Sequence, residues 1–136
     1  MILLLGSDEA LLEGLAQLLS ISGRRVEVVQ SLDEAEEIAT RRGPLLLVVE
    51  RGAFAGALGD RVAHLPLAPG GAIVVYRQTG AAELSAPMPR SLTRAMLAEL
   101  ELPLERNRLA ALAASLESRA QKSGRLRRDT PPEHRI

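Results

Sequence analysis

Few side chains in this sequence could do chemistry, and most of them follow short apolar runs. Gly6-Ser7-Asp8 comes after Ile2–Leu5 and before a helical pattern of leucines. Free N–H groups at a helix start can hold a small anion or a nucleotide phosphate. No GxGxxG or P-loop spacing supports that use here, and capping of the helix by Ser7 or Asp8 is the plainer role. Glu50 closes the apolar run Leu45–Val49. Its carboxylate could accept a transferred group, mimic a phosphorylated residue, or be a solvated strand-end acid paired with Arg51 or Arg77. His64 stands near a proline-rich turn with no second ligand at metal spacing. The chain has no cysteine, which removes disulfides, thiol catalysis and cysteine-ligated metals. No Ser/His/Asp arrangement is suggested by position. The sequence therefore predicts no catalytic residue, no bound metal and no cofactor.

Those residues need elements to position them. Ile2–Leu5, Val26–Val29, Leu45–Val49 and Ile73–Tyr76 read as short strands, and Leu45–Val49 is apolar at every position without alternation, as in a central strand covered on both faces. Glu83–Pro87 is a weaker fifth candidate. Leu11, Leu12, Leu15, Leu18 and Leu19 recur at helical spacing. Ser31-Leu32-Asp33-Glu34 fits a capping box and opens a helix that runs to about Arg42, where Gly43-Pro44 stops it. A short helix is expected around Leu58–Leu65. Ser91 is expected to cap another, containing Leu92, Ala95, Met96 and Leu100. Strands alternating with helices make a doubly wound α/β fold with a parallel five-stranded sheet. Only six residues separate Tyr76 from Glu83, too few for a parallel crossover through a helix, so the fourth helix should be shortened or missing. Function in such sheets gathers beyond the strand carboxyl ends. That rim would hold Gly6, Ser7, Asp8, Glu50, Arg51, Tyr76, Arg77 and Met88.

The order and spacing of these elements resemble the receiver domains of response regulators, the CheY-like fold. Leu3–Leu11 resembles that family's first strand and first helix start. Pro44 to Glu50 resembles its third strand, which ends in the phospho-accepting Asp, and Pro89 resembles the proline of its Lys-Pro pair. The resemblance implies an acidic, Mg²⁺-holding pair at Gly6 and Ser7, an acceptor at Glu50, a Thr or Ser at Tyr76 or Arg77, and a lysine at Met88. None of these positions carries the implied residue. Asp8 falls one place too late for the pair. The Glu50 carboxylate is one methylene further out, and in-line transfer is sensitive to displacements of about 1 Å. A pocket short of anionic ligands and without a neutralising lysine has little to stabilise a transferring phosphoryl group. The resemblance is therefore to a degenerate, pseudo-receiver domain.

At 136 residues a single core is expected. One Phe and one Tyr, with no Trp, argue against base stacking. Eight of the 17 Arg/Lys but only four of the 17 Asp/Glu lie from Leu104 onward, so the first part of the chain is mildly acidic. The expected organisation is a receiver-like domain over 1–102, an extra C-terminal amphipathic helix over 103–122, and a flexible basic tail over 123–136. On that helix Leu109, Leu112, Ala113, Leu116 and Ala120 share one face. They could meet a second copy, a regulatory protein partner, or their own domain. The tail could touch nucleic acid, but no helix-turn-helix signature accompanies it. The N-terminal apolar run ends at Gly6 without a basic leader, too short for a signal peptide or membrane span, which predicts a cytoplasmic protein. The function expected is a phosphorylation-independent, non-enzymatic interaction module in bacterial-type signalling. The alternatives are a small-ligand or nucleotide-binding regulatory domain at the rim, and a residual phospho-acceptor response regulator.

Overall fold

A computed structural model describes residues 1–21, 23–80 and 87–129, with side chains to Lys122. Five strands alternate with helices: β1 Ile2–Leu5, α1 Glu9–Ser20, β2 Val26–Val29, α2 Leu32–Arg42, β3 Leu46–Glu50, α3 Gly59–Ala63, β4 Ala72–Gln78, α4 Arg90–Ala95, β5 Met96–Leu102 and α5 Arg106–Asp129. A single π-helical turn, Arg51–Ala55, follows β3. The sheet is wholly parallel in the order β2-β1-β3-β4-β5. The uniform apolarity of β1 and β3 reflects their central place, where both faces are covered. Leu3, Leu5, Leu47, Val49, Ile73 and Val75 face α2, α3 and α4. Ile2, Leu4, Val48, Val74 and Tyr76 face α1 and α5.

The helix ends follow their capping residues. Asp8 accepts from the Leu11 N–H at 3.1 Å and starts α1. Ser31 accepts from the Glu34 N–H at 3.1 Å and starts α2. Gly43 ends α2 at φ 53°, a left-handed conformation that favours glycine, and its N–H returns to Ala39 O at 2.8 Å.

The second half departs from expectation. Residues 81–86, most of the expected strand Glu83–Pro87, lie outside the described residues. The fifth strand is Met96–Leu102, which pairs in parallel with β4 through the register Val74↔Ala98, Tyr76↔Leu100 and Gln78↔Leu102. Met96 and Leu100 therefore belong to a strand and not to the helix expected over them. The reason is the alternation after Leu97. Ala98, Leu100 and Leu102 turn to the α1–α5 side while Glu99 and Glu101 turn away, and a register shift beside Ile73 accommodates Leu97. Ser91 is not the cap of α4. Pro89 holds that place, and the Ser91 hydroxyl donates to Asp60 Oδ1. The crossover spans 79–95, and its helix is shortened to six residues. α5 is not an addition outside the domain. It follows β5 directly and completes the layer begun by α1, with Leu109, Ala113 and Leu116 in the core. It also continues through 123–129, where the composition predicted tail.

Candidate functional site

The rim is built where three strands end. Gly6, Ser7 and Asp8 join β1 to α1; Glu50 ends β3; Tyr76, Arg77 and Gln78 end β4, with Tyr76 in register with Glu50. Glu50 reaches across to the first loop. Its Oε1 accepts from the Ser7 backbone N–H and from the Ser7 hydroxyl, each at 2.7 Å. Asp8 is tied on both sides. The Leu11 N–H donates to its Oδ1, and the Gln78 amide donates to its Oδ2 at 2.6 Å. Donation from Leu11 first, and from Gln78 second, holds the Asp8 carboxyl below the usual range.

Tyr76 occupies the space beneath these contacts. It is 1% exposed, and its hydroxyl has no hydrogen-bond partner among the described residues. A Cβ built on Gly6 would overlap that hydroxyl oxygen. Only a residue without a side chain fits at position 6 while the phenol points there. Burial pushes the phenol pKa up, and the nearby charges of Glu50 and Asp8 push it the same way, so Tyr76 stays neutral at any physiological pH.

The two arginines turn away from the carboxylates. Arg51 donates to Glu99 at 2.8 Å and Arg77 pairs with Glu101 at 3.4 Å. The expected pairing of Glu50 with Arg51 or Arg77 is thus replaced by Ser7. Met88 is partly buried against the α2–α4 side of the core and brings no charge to the rim. His64 lies apart, with Nδ1 2.7 Å from the Asp60 carbonyl oxygen. Among the described residues no group of three or more His, Cys, Asp or Glu could hold a metal ion. Phosphoryl transfer to a carboxylate needs a free oxygen in line with the donor and a cation on the developing charge. Here one Glu50 oxygen is committed twice, Asp8 is committed at both oxygens, and the Tyr76 hydroxyl takes the space beside Gly6.

The second predicted surface is placed differently. Leu109, Ala113 and Leu116 are 0%, 2% and 5% exposed, packed on their own sheet; Leu112 is partly buried and Ala120 is exposed. Of the alternatives for that stripe, the structure shows packing on its own domain. Sequence reasoning did not find Gln78 as the partner of Asp8, or the interlock of Gly6 with Tyr76. The available signal was the chain's single tyrosine ending β4, two strands from a glycine ending β1.

No protein-family model and no curated protein matches the chain. Solved structures do. NtrX from Brucella abortus in complex with ADP superposes with TM-score 0.66 at 20% identity, over 96% of this chain and 30% of that one. A response regulator receiver domain from Clostridium thermocellum gives 0.66 at 16% identity, over 88% of this chain and 95% of that one. The fold is that of a receiver domain. A response regulator from Burkholderia pseudomallei, solved with a phosphorylated aspartic acid, calcium ion and citrate, gives 0.65 at 21% identity over 96% of this chain and 74% of that one. At these identities the likeness is one of architecture, and this chain spans under a third of that NtrX chain.

Proposed function

We propose that this chain is a receiver-fold interaction module that works without phosphoryl transfer, in bacterial-type regulation in the cytoplasm. The observation that carries this reading is the Tyr76 phenol in the space that any side chain at Gly6 would need. A cation in such a pocket draws separate loops together through their carboxylates. In this chain neutral donors make the same ties. Ser7 joins the first loop to β3, and Gln78 joins it to β4. Three carboxylate oxygens of the rim, Glu50 Oε1, Asp8 Oδ1 and Asp8 Oδ2, already accept hydrogen bonds from the protein itself, which supports a rim that works without ion or phosphoryl group. What remains for the fold is to present a surface of constant shape to another macromolecule.

The direct test is incubation of the full chain with a small acyl phosphate and Mg²⁺, followed by intact mass measurement. No mass gain is expected. A stable phosphoryl adduct on Glu50 or Asp8 would overturn the proposal in favour of a residual phospho-acceptor. In the same preparation, Mg²⁺ alone should leave the melting temperature unchanged, because a ligand that binds the native state raises it.

A further inference from the structure

α5 spends its apolar stripe on its own sheet, so that stripe is not free to join two copies of the chain. Three large apolar side chains are exposed among the described residues, Ile21, Leu97 and Leu104, and the first stands at the end of α1. By helical spacing Ala10, Gly14 and Ile21 fall opposite the buried Leu12, Leu15 and Leu19. Ile21, at the C-cap, is 79% exposed, the most exposed large apolar side chain among the described residues. Beside the same face, between α1 and the start of α5, lies a groove of about 310 Å³ lined by Ala10, Leu11, Gly14, Leu15, Pro103 and Arg106. Glycine in mid-helix lowers helix stability. A Cβ on Gly14 would meet nothing within 4 Å, so no contact among the described residues requires it. Without a side chain, Gly14 adds only backbone to the wall of the groove.

An apolar knob and a groove on one face are complementary to themselves under a two-fold rotation. Ile21 lies about two turns along α1 from Gly14. Two α1 helices crossing antiparallel near Gln17 would set Ile21 of each over the groove of the other. The charges agree with that direction and not with a parallel one. Glu9 opens α1 and Arg25 follows its end; both are exposed, and neither has an ion pair among the described residues. Antiparallel crossing brings Glu9 of one copy beside Arg25 of the other and opposes the two helix dipoles favourably. We propose that two copies of this chain pair through α1, with Ile21 of each seated in the α1–α5 groove of the other.

The pairing names a partner for the interaction module proposed above and rests on that reading for its role. The two fail separately: a monomeric chain overturns the pairing, whereas phosphoryl labelling overturns the reading. The experiment is the sedimentation or light-scattering mass of the full chain over a concentration series. The mass should move toward two chains. Ile21→Ser changes a side chain that is already exposed, so the fold, checked by circular dichroism, stays intact while the dissociation constant rises about tenfold or more. Gly14→Gln, which fills the groove, should do the same. Glu9→Arg and Arg25→Glu should each weaken pairing, and together restore it. A mass of one chain up to millimolar concentration overturns the proposal. So does a dimer that Ile21→Ser leaves unchanged, or a double charge swap no better than either single one.

Discussion

A side chain at residue 6 and the hydroxyl of Tyr76 compete for one volume, and the chain gives that volume to the phenol. Among the described residues the hydroxyl has no hydrogen-bond partner there. An unpaired buried polar group costs about 1–3 kcal/mol. Tyr76→Phe should therefore stabilise the protein, by about 1 kcal/mol, read as a higher urea midpoint at unchanged slope. The companion change, Gly6→Asp, forces an acid against the ring and should cost about 1–3 kcal/mol as overpacking. Combined with Tyr76→Thr, which vacates the space, its cost should shrink by more than about 1 kcal/mol relative to additivity. Strict additivity, or a less stable Phe variant, would show that the two residues do not meet. The place of Gly6, Ser7, Asp8 and Glu50 on the rim was legible in the sequence, because each follows the end of an apolar run. What occupies the space beside Gly6 was not. Gly6 and Tyr76 are brought together only by the β1–β3 and β3–β4 registers, which are long-range facts.

At the scale of elements, the legible parts were those written locally. β1, β2, α1 and α2 follow apolar runs and side-chain caps within a few residues of themselves. β5 was misread because Leu92, Ala95, Met96 and Leu100 satisfy a helical period while Ala98, Leu100 and Leu102 satisfy a strand's. The open edge of β4 decided between them. The element junctions also carry a pH dependence. Asp8, at the start of α1, is held low by the Leu11 N–H and then Gln78. Glu105, before α5, is held low by the Glu101 N–H and then Arg108. Each folded pKa lies below its unfolded value, so below about pH 4 the unfolded chain binds more protons and stability rises with pH. The contribution is complete above the unfolded carboxylate range and is lost as pH falls through the lowered folded values. A variant carrying Asp8→Asn and Glu105→Gln cannot titrate at these positions, and each amide keeps one acceptor oxygen, for the Leu11 and the Glu101 N–H. Its melting temperature should fall less steeply than that of the unmodified chain between about pH 5 and pH 2; equal slopes would contradict the assignment.

For the whole molecule, the amphipathic pattern of α5 was legible but its target was not. A stripe of leucines is the same sequence signal whether the covering surface is a partner or the chain's own sheet. In the structure it covers the sheet: Leu109, Ala113 and Leu116 pack with Ile2, Leu4, Val48, Val74 and the leucines of α1. The far part of the helix is fixed by Arg24, whose Nε donates to Glu117 at 2.5 Å and whose Nη1 donates to the Leu19 carbonyl. Each buried leucine is worth about 1.5–3 kcal/mol, and a domain of this size holds only about 5–15 kcal/mol in total. Removing α5 discards two such leucines and bares one whole face of β4 and β5 to water. A chain ending at Leu102 should therefore lose its cooperative thermal transition, whereas a chain ending at Lys122 should keep it with nearly the melting temperature of the intact protein. Calorimetry of the two truncations decides the matter. A cooperative, native-like 1–102 fragment would mean that β1–β5 and α1–α4 form a complete core and that α5 is an accessory helix resting on it.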